Sequence, residues 1–421
     1  MRTMKDSGLS WVGKIPSDWL AHPVYYYFGE RKNKNIFGQE DNLLSLSYGR
    51  VIRKDINTNG GLLPESFNTY NIVEAGDIII RPTDLQNDKK SLRTGLCLER
   101  GIITSAYIAL RPIRRLNSGF FRYLLHAYDI SKVFYNMGNG VRQGLNFSEF
   151  SRLMVFEPPI EIQDKITQYL DTATAKVDEI ISDIQTQIDT LEQYKRSIIT
   201  ETVTKGLNPA AEMKDSGIEW VGRIPAHWPI HPVYSYYGER KNKNRLGKED
   251  NLLSLSYGRV IRKDINTNDG LLPESFNTYN IVESGDIIIR PTDLQNDKRS
   301  LRTGLVKEHG IITSAYIDLC PLKQVDSRYF HFLLHAYDVM KVFYNMGNGV
   351  RQGLNYSEFS RLMVFEPPYE EQVAMADYLE TKVTEVDTII EQKKEQMAVL
   401  DAYKRSLIFE YVTGKKEVPL S

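Results

Sequence analysis

The sequence predicts an α+β protein: two duplicated mixed α/β domains separated by two long antiparallel helices that form a coiled-coil spacer, related by a pseudo-twofold. Three observations carry this. The 421-residue chain repeats itself at an offset of 209, each copy ends in a long run of helical periodicity, and glycines and prolines cut the stretch before each run into strand-length pieces. A repeat this long marks a duplicated domain rather than a solenoid.

In chain order, Met4-Lys5-Asp6-Ser7-Gly8 returns as Met213-Lys214-Asp215-Ser216-Gly217, and Trp11-Val12-Gly13 with Trp19 returns as Trp220-Val221-Gly222 with Trp228. The match runs without insertion through residues 41–54 against 250–263 and 133–159 against 342–368. In the first copy, 72–80 reads as a turn into a buried strand and 102–110 as another strand, because β-branched residues run together between turn formers. Residues 120–134 read as a helix, Gly138-Asn139-Gly140 as a loop and 153–156 as a last strand.

Residues 161–203 place Ile162, Ile166, Tyr169, Ala173, Val177, Ile180, Ile184, Ile188, Leu191, Tyr194 and Ile198 three or four apart, which makes one apolar stripe. Residues 370–412 repeat it with Val373, Leu379, Val383, Val386, Ile389, Met397, Leu400, Tyr403 and Leu407. Proline pairs, Pro158-Pro159 and Pro367-Pro368, precede both and suit a helix start. A helix about 65 Å long with one stripe needs a partner. The roughly eight residues that join the first helix to the second copy reach at most about 28 Å. The second helix therefore buries its stripe on the first only by running back antiparallel. The expected division is a domain at 1–157, a helix at 158–206, a domain at 207–366, and a helix with tail at 367–421.

The two cysteines, Cys97 and Cys320, do not correspond under the offset, so neither a disulfide nor a metal site is expected. No apolar run approaches the roughly 18 residues of a membrane span. These features predict a soluble, cytoplasmic protein. Net charge is −1, but it is unevenly distributed: 161–203 hold nine acidic and four basic residues and 370–412 hold ten and five, so the helices carry −10 and the rest +9. Basic domains beside acidic helices point to a nucleic-acid partner for the domains.

The candidate contacts fall in matched clusters. Arg31, Lys32, Asn33, Lys34 and Asn35 return as Arg240, Lys241, Asn242, Lys243 and Asn244. Arginine and lysine suit phosphate and guanine edges, and asparagine pairs with adenine. Tyr48, Arg50 and Arg53 return as Tyr257, Arg259 and Arg262; Arg81, Lys89 and Arg93 return as Arg290, Lys298 and Arg302. In the glycine-rich loop, Arg142, Gln143 and Asn146 return as Arg351, Gln352 and Asn355, where glycines allow close backbone approach.

Catalytic patterns fare less well. Glu366-Pro367-Pro368-Tyr369 resembles the base-holding element of amino-methyltransferases, but the matching first-copy residue is Ile160 and no glycine-rich cofactor loop follows a strand. Asp77, Asp88 and Lys90 have a faint nuclease spacing, yet Lys90 becomes Arg299, and Asp77 suits a turn cap. His22 and His126 return as His231 and His335 without partners at metal-ligand spacing, which suits structural histidines.

The order of Trp11-Val12-Gly13-Lys14-Ile15-Pro16, Gly76-Asp77, Pro158-Pro159, Tyr169-Leu170-Asp171 and Tyr194-Lys195-Arg196-Ser197, given twice, resembles the specificity subunits of type I restriction-modification systems. The resemblance implies a non-catalytic protein whose two target recognition domains each read half of a bipartite double-stranded DNA site. It also implies helices that dock methyltransferase subunits, two of them, with restriction subunits joining the full complex. S-adenosylmethionine, ATP and magnesium would belong to those partners, with no cofactor or metal in this chain. Near-identical domains depart from the family pattern of unlike ones and predict a gapped inverted repeat. A stand-alone DNA-binding regulator and a self-contained methyltransferase are the alternative readings.

Overall fold

The computed structural model describes residues 2–56, 66–83, 85, 92–135, 137, 144–265, 275–292, 294, 301–346 and 353–419. The chain divides into two compact units, Met1–Ile184 with Lys394–Ser421, and Gln185–Lys393.

In the first unit β1 (Met4–Asp6) pairs with β2 (Lys14–Pro16); β3 (Leu20–Pro23) and β4 (Phe28–Glu30) follow, then the hairpin of β5 (Leu44–Ser47) and β6 (Arg50–Arg53). Next come β7 (Asn71–Val73), β8 (Ile78–Ile80), β9 (Thr94–Leu96), β10 (Gly101–Ile103) and β11 (Ile108–Pro112). The main sheet is antiparallel in the order β4-β11-β8-β9. Helices α1 (Ser118–Ile130) and α2 (Phe147–Phe150), strand β12 (Met154–Glu157) and the long α3 (Ile160–Lys205) complete the copy. The second copy repeats the order from β13 (Met213–Asp215) to β24 (Met363–Phe365), with α4 (Ser327–Val339), α5 (Tyr356–Phe359) and α6 (Tyr369–Val412).

The all-apolar run of β8 is explained by burial on both faces: Ile78 and Ile80 enter the main core while Ile79 enters a smaller one with Leu44, Leu46 and Val73. The strand expected at 102–110 is two strands. Thr104 turns the chain, accepting from Ala106 N at its hydroxyl (3.3 Å) and from Tyr107 N at its carbonyl (3.2 Å), so β10 pairs with β7 and β11 with β8. At the expected helix over 120–134, α1 ends at Ile130, and Lys132 takes a left-handed φ of 56°. Below the proline pair, Gln163 is buried: its Nε2 donates to Pro158 O (2.8 Å) and its Oε1 accepts from Asn117 N (2.9 Å), tying the start of α3 to α1.

The long helices pair antiparallel within each unit. In the first, Tyr169 meets Tyr411 at 4.6 Å between ring centres, and further along α3 the Asp178 carboxylate pairs with Lys404. In the second, Gln187 meets Lys393 at 2.5 Å and Asp387 meets Lys195 at 2.7 Å. Under the offset Asp178 becomes Asp387 and Lys404 matches Lys195, so the same contact is made twice with the helices exchanging roles. Each core also takes both helices: Ile166 and Leu170 with Leu407, Ile408, Tyr411 and Val412 in one, Met375 and Leu379 with Ile199 and Val203 in the other.

Candidate nucleic-acid interface

Each basic side chain can be sorted by what holds it, since a cation buried on a carboxylate is costly to free whereas an exposed ion pair is worth at most about 1 kcal/mol and is easily exchanged for a phosphate. Arg31, on the edge strand's exit, is 22% exposed and forks onto the buried Asp77, which also accepts from Glu74 N (2.9 Å) and so caps the turn into β8. Arg240 repeats the fork on Asp286 at 2.7 and 3.0 Å. Arg93 is 0% exposed: its Nε donates to Tyr135 Oη (2.9 Å), its Nη1 to the Thr83 carbonyl, and its backbone N to Asp129 (2.6 Å); Arg302 repeats this with Tyr344, Thr292 and Asp338. Asn35 is buried as a loop staple, giving its amide hydrogen to Glu40 O (2.9 Å) and accepting from Glu40 N (3.2 Å), as Asn244 does with Glu249. Asn146 and Asn355 cap α2 and α5 in capping boxes with Glu149 and Glu358. These residues hold the fold.

A second set lies in the open. Lys32 pairs with Glu30 (2.8 Å), Lys34 donates to Thr69 O (2.8 Å), and Asn33 is exposed between them, as are Lys241 and Asn242 in the second unit; Lys243, half-buried, donates to Thr278 O (3.0 Å). Arg50 is 70% exposed and pairs with Asp178 of α3 at 2.6 Å; Arg259 pairs with Asp387 at 2.5 Å. Arg53 is 71% exposed and forks onto Glu99, as Arg262 does onto Glu308, which holds both carboxyls below their usual range. Tyr48 and Tyr257 stand at the hairpin tips, and Arg81 and Arg290 are half-buried. Lys89, Arg142, Gln143, Lys298, Arg351 and Gln352 lie outside the described residues, as do Asp88 and Lys90.

Two shallow hollows link the clusters in the first unit. One, of about 610 Å³, is lined by Arg53, Lys54, Glu99 and Arg100, and one of about 310 Å³ by Lys34, Phe37, Glu40 and Arg100. Between them Arg100 pairs with Glu40 (2.9 Å) and Glu74 (2.5 Å). Neither this latch nor the solvent-facing Phe37 was evident in the sequence, since the acidic partners are 26 to 60 positions from Arg100.

In the second unit His309 replaces Arg100 and bridges Glu283 (Nδ1, 2.9 Å) and Glu249 (Nε2, 2.9 Å). The hydrogen bond that its Nδ1–H donates to the Glu283 carboxylate raises its pKa above the usual imidazole value. A histidine raised on folding contributes fully below its unfolded pKa and loses that contribution as pH rises through the folded value. Amide exchange at Glu249, corrected for its intrinsic pH dependence, is therefore expected to speed up as pH rises above the ordinary imidazole range while that at Glu40 stays level. His309→Arg is expected to abolish the difference, and equal exchange at both glutamates in the unaltered chain would count against the latch.

Among the described residues no three His, Cys, Asp or Glu side chains gather as a metal site requires, and no helix is long and apolar enough to cross a membrane. His126 is buried beside Thr94 Oγ1 (3.4 Å), and burial lowers its pKa to about 3.

No family model matches the sequence. The MjaVIII specificity subunit of a type I restriction enzyme from Methanocaldococcus jannaschii is 23% identical over 345 residues, 76% of this chain and 75% of that one. A protein of the same organism provisionally named the MjaX specificity subunit is 23% identical over 320 residues, 74% of this chain and 71% of that one. A solved structure, described as the basis of complex assembly and conformational transition of the type I R-M system, matches with a TM-score of 0.68 at 12% identity, covering 96% of this chain and 99% of the other. Sequence similarity to type I restriction-enzyme specificity subunits thus runs through three quarters of this chain, and its fold is shared over nearly its whole length with the solved type I R-M structure.

Proposed function

We propose that the chain selects the double-stranded DNA sequence on which a type I restriction-modification complex acts, and that the site is a gapped inverted repeat. Residues 1–157 and 207–366 each read one half as target recognition domains. Residues 158–206 and 367–421 set the gap and dock methyltransferase subunits, to which restriction subunits add in the full complex. S-adenosylmethionine, ATP and magnesium belong to those partners. The observation that supports an inverted repeat is the doubling of the exchangeable set: Lys32, Arg50 and Arg53 recur as Lys241, Arg259 and Arg262 on matching carboxylates. Like surfaces read like bases, and helices that exchange roles suit half-sites on opposite strands.

Co-expression with the methyltransferase subunits, followed by mapping of methylated adenines across a host genome, tests this. The expected result is one motif with the same few base pairs on opposite strands around an unspecified spacer. Two unrelated half-sites would refute the inverted repeat, and methylation independent of this chain would refute the role itself.

A further inference from the structure

We propose that Tyr48 and Tyr257 are wedge residues, each pressed against the base stack of bound duplex in its own half-site. The inference rests on the reading that the chain recognises DNA and adds how the duplex is engaged.

Strands β5 and β6 are joined by two residues only, Tyr48 and Gly49, with Ser47 paired to Arg50 across the turn. Both central residues have positive φ, 45° and 77°. That turn favours Asn-Gly, and an aromatic residue is strained at its first position. The strain returns nothing to the fold, because the ring is 82% exposed. The second unit repeats the arrangement with Tyr257 at φ 46° and 84% exposed, followed by Gly258 at φ 79°. Strain kept without internal benefit marks a position set by an external contact.

The hairpin is held firmly enough to deliver a ring to one place. It lies flush on β9 at Gly95, where a Cβ would come within 2.5 Å of Leu46 Cδ1 and 3.0 Å of Val51 Cγ2. A rigid aromatic loses little conformational freedom on binding. Its neighbours Arg50, Arg53 and Lys54 are exposed cations, which suits a phosphate backbone rather than an apolar protein surface. Aromatic rings beside such cations stack on bases or enter a base step.

The test uses the assembled complex with its methyltransferase subunits and a duplex carrying the mapped site, with 2-aminopurine placed in turn at each position outside the methylated adenine. Wild type is expected to raise the fluorescence at one position in each half-site. Tyr48→Ala is expected to abolish the rise in one half only and weaken binding about tenfold to hundredfold, while Tyr48→Phe retains both. Tyr48→Asn separates fold from function: asparagine suits the turn, so the melting temperature is expected to rise while binding falls as for alanine. A wild-type complex that binds without any rise, or a Tyr48→Ala complex that binds within about twofold of wild type, would sink the wedge and leave DNA recognition standing. A Tyr48→Ala chain that folds but no longer holds methyltransferase subunits would make the ring a protein contact and overturn the proposal. Failure of the wild-type complex to bind the mapped site would remove the DNA reading and the wedge with it.

Discussion

A chain ending at Arg405 is expected to lose the first unit and keep the second. Leu407, Ile408, Tyr411 and Val412 are buried in the first core beside Trp19, Ile166 and Leu170. Burial of such side chains contributes about 1.5–3 kcal/mol each, so the four together supply up to roughly 6–12 kcal/mol, comparable with the whole stability of a domain. The truncation also removes Lys415, whose Nζ donates to Val12 O (2.8 Å), and Gly414, which lies at the Pro16 ring with no room for a Cβ. In the second core the matching places are filled by Ile199 and Val203, inside the chain and untouched. Amide exchange is the direct measurement: protection should vanish at 44–53 and 101–112 and persist at 253–262 and 310–321. Single substitutions set the scale, Ile408→Ala costing the first unit about 2–5 kcal/mol and Ile199→Ala the second by a similar amount. Full protection of the first unit in the truncated chain would mean that its core closes without α6.

The duplication and both long helices were legible because they are written locally: an unbroken offset, a proline pair and an apolar period. The stripe was legible only in part. Ile180 and Tyr194, placed on it by spacing, are about half exposed, while Leu170, Ile199 and Val203 are buried. The reason is that at each end the paired helices also pack together into a globular core, which buries a further face that no single period records. The basic clusters were equally visible, but their division into fixed and exchangeable members was not. Arg31 and Lys32 are adjacent in sequence, yet one forks onto a buried carboxylate 46 positions away and the other pairs in the open with Glu30. Arg93 looked like a surface cation and is wholly buried because Asp129 and Tyr135 meet it from after the sheet. Long-range carboxylate partners decide which arginines are available, and those appear only with the fold.

Asp318→Ala is expected to stabilise the second unit, most strongly at alkaline pH. Asp318 replaces Ala109 on the central strand of the main sheet, is 0% exposed, and neither carboxyl oxygen has a hydrogen-bond partner among the described residues. Arg240 is 3.9 Å away but committed to Asp286, so burial first and the Asp286 charge second push the Asp318 pKa up to about 8. A carboxyl raised on folding keeps a proton that the unfolded chain releases, so stability falls as pH rises from about 4 and levels off above about 8. The substitution should therefore change little at pH 4 and add on the order of 3 kcal/mol at pH 8, raising that unit's melting temperature by roughly 6–12 °C. Ala109 shows that the sheet accepts alanine there, and Ala109→Asp should bring the same pH-dependent weakness to the first unit. A pH-independent gain would place the effect in packing rather than in the buried charge. Because Arg240 stays forked on Asp286 in the variant, recognition of the second half-site should be unaltered; a changed half-site preference would instead mean that Arg240 leaves Asp286 to read the DNA.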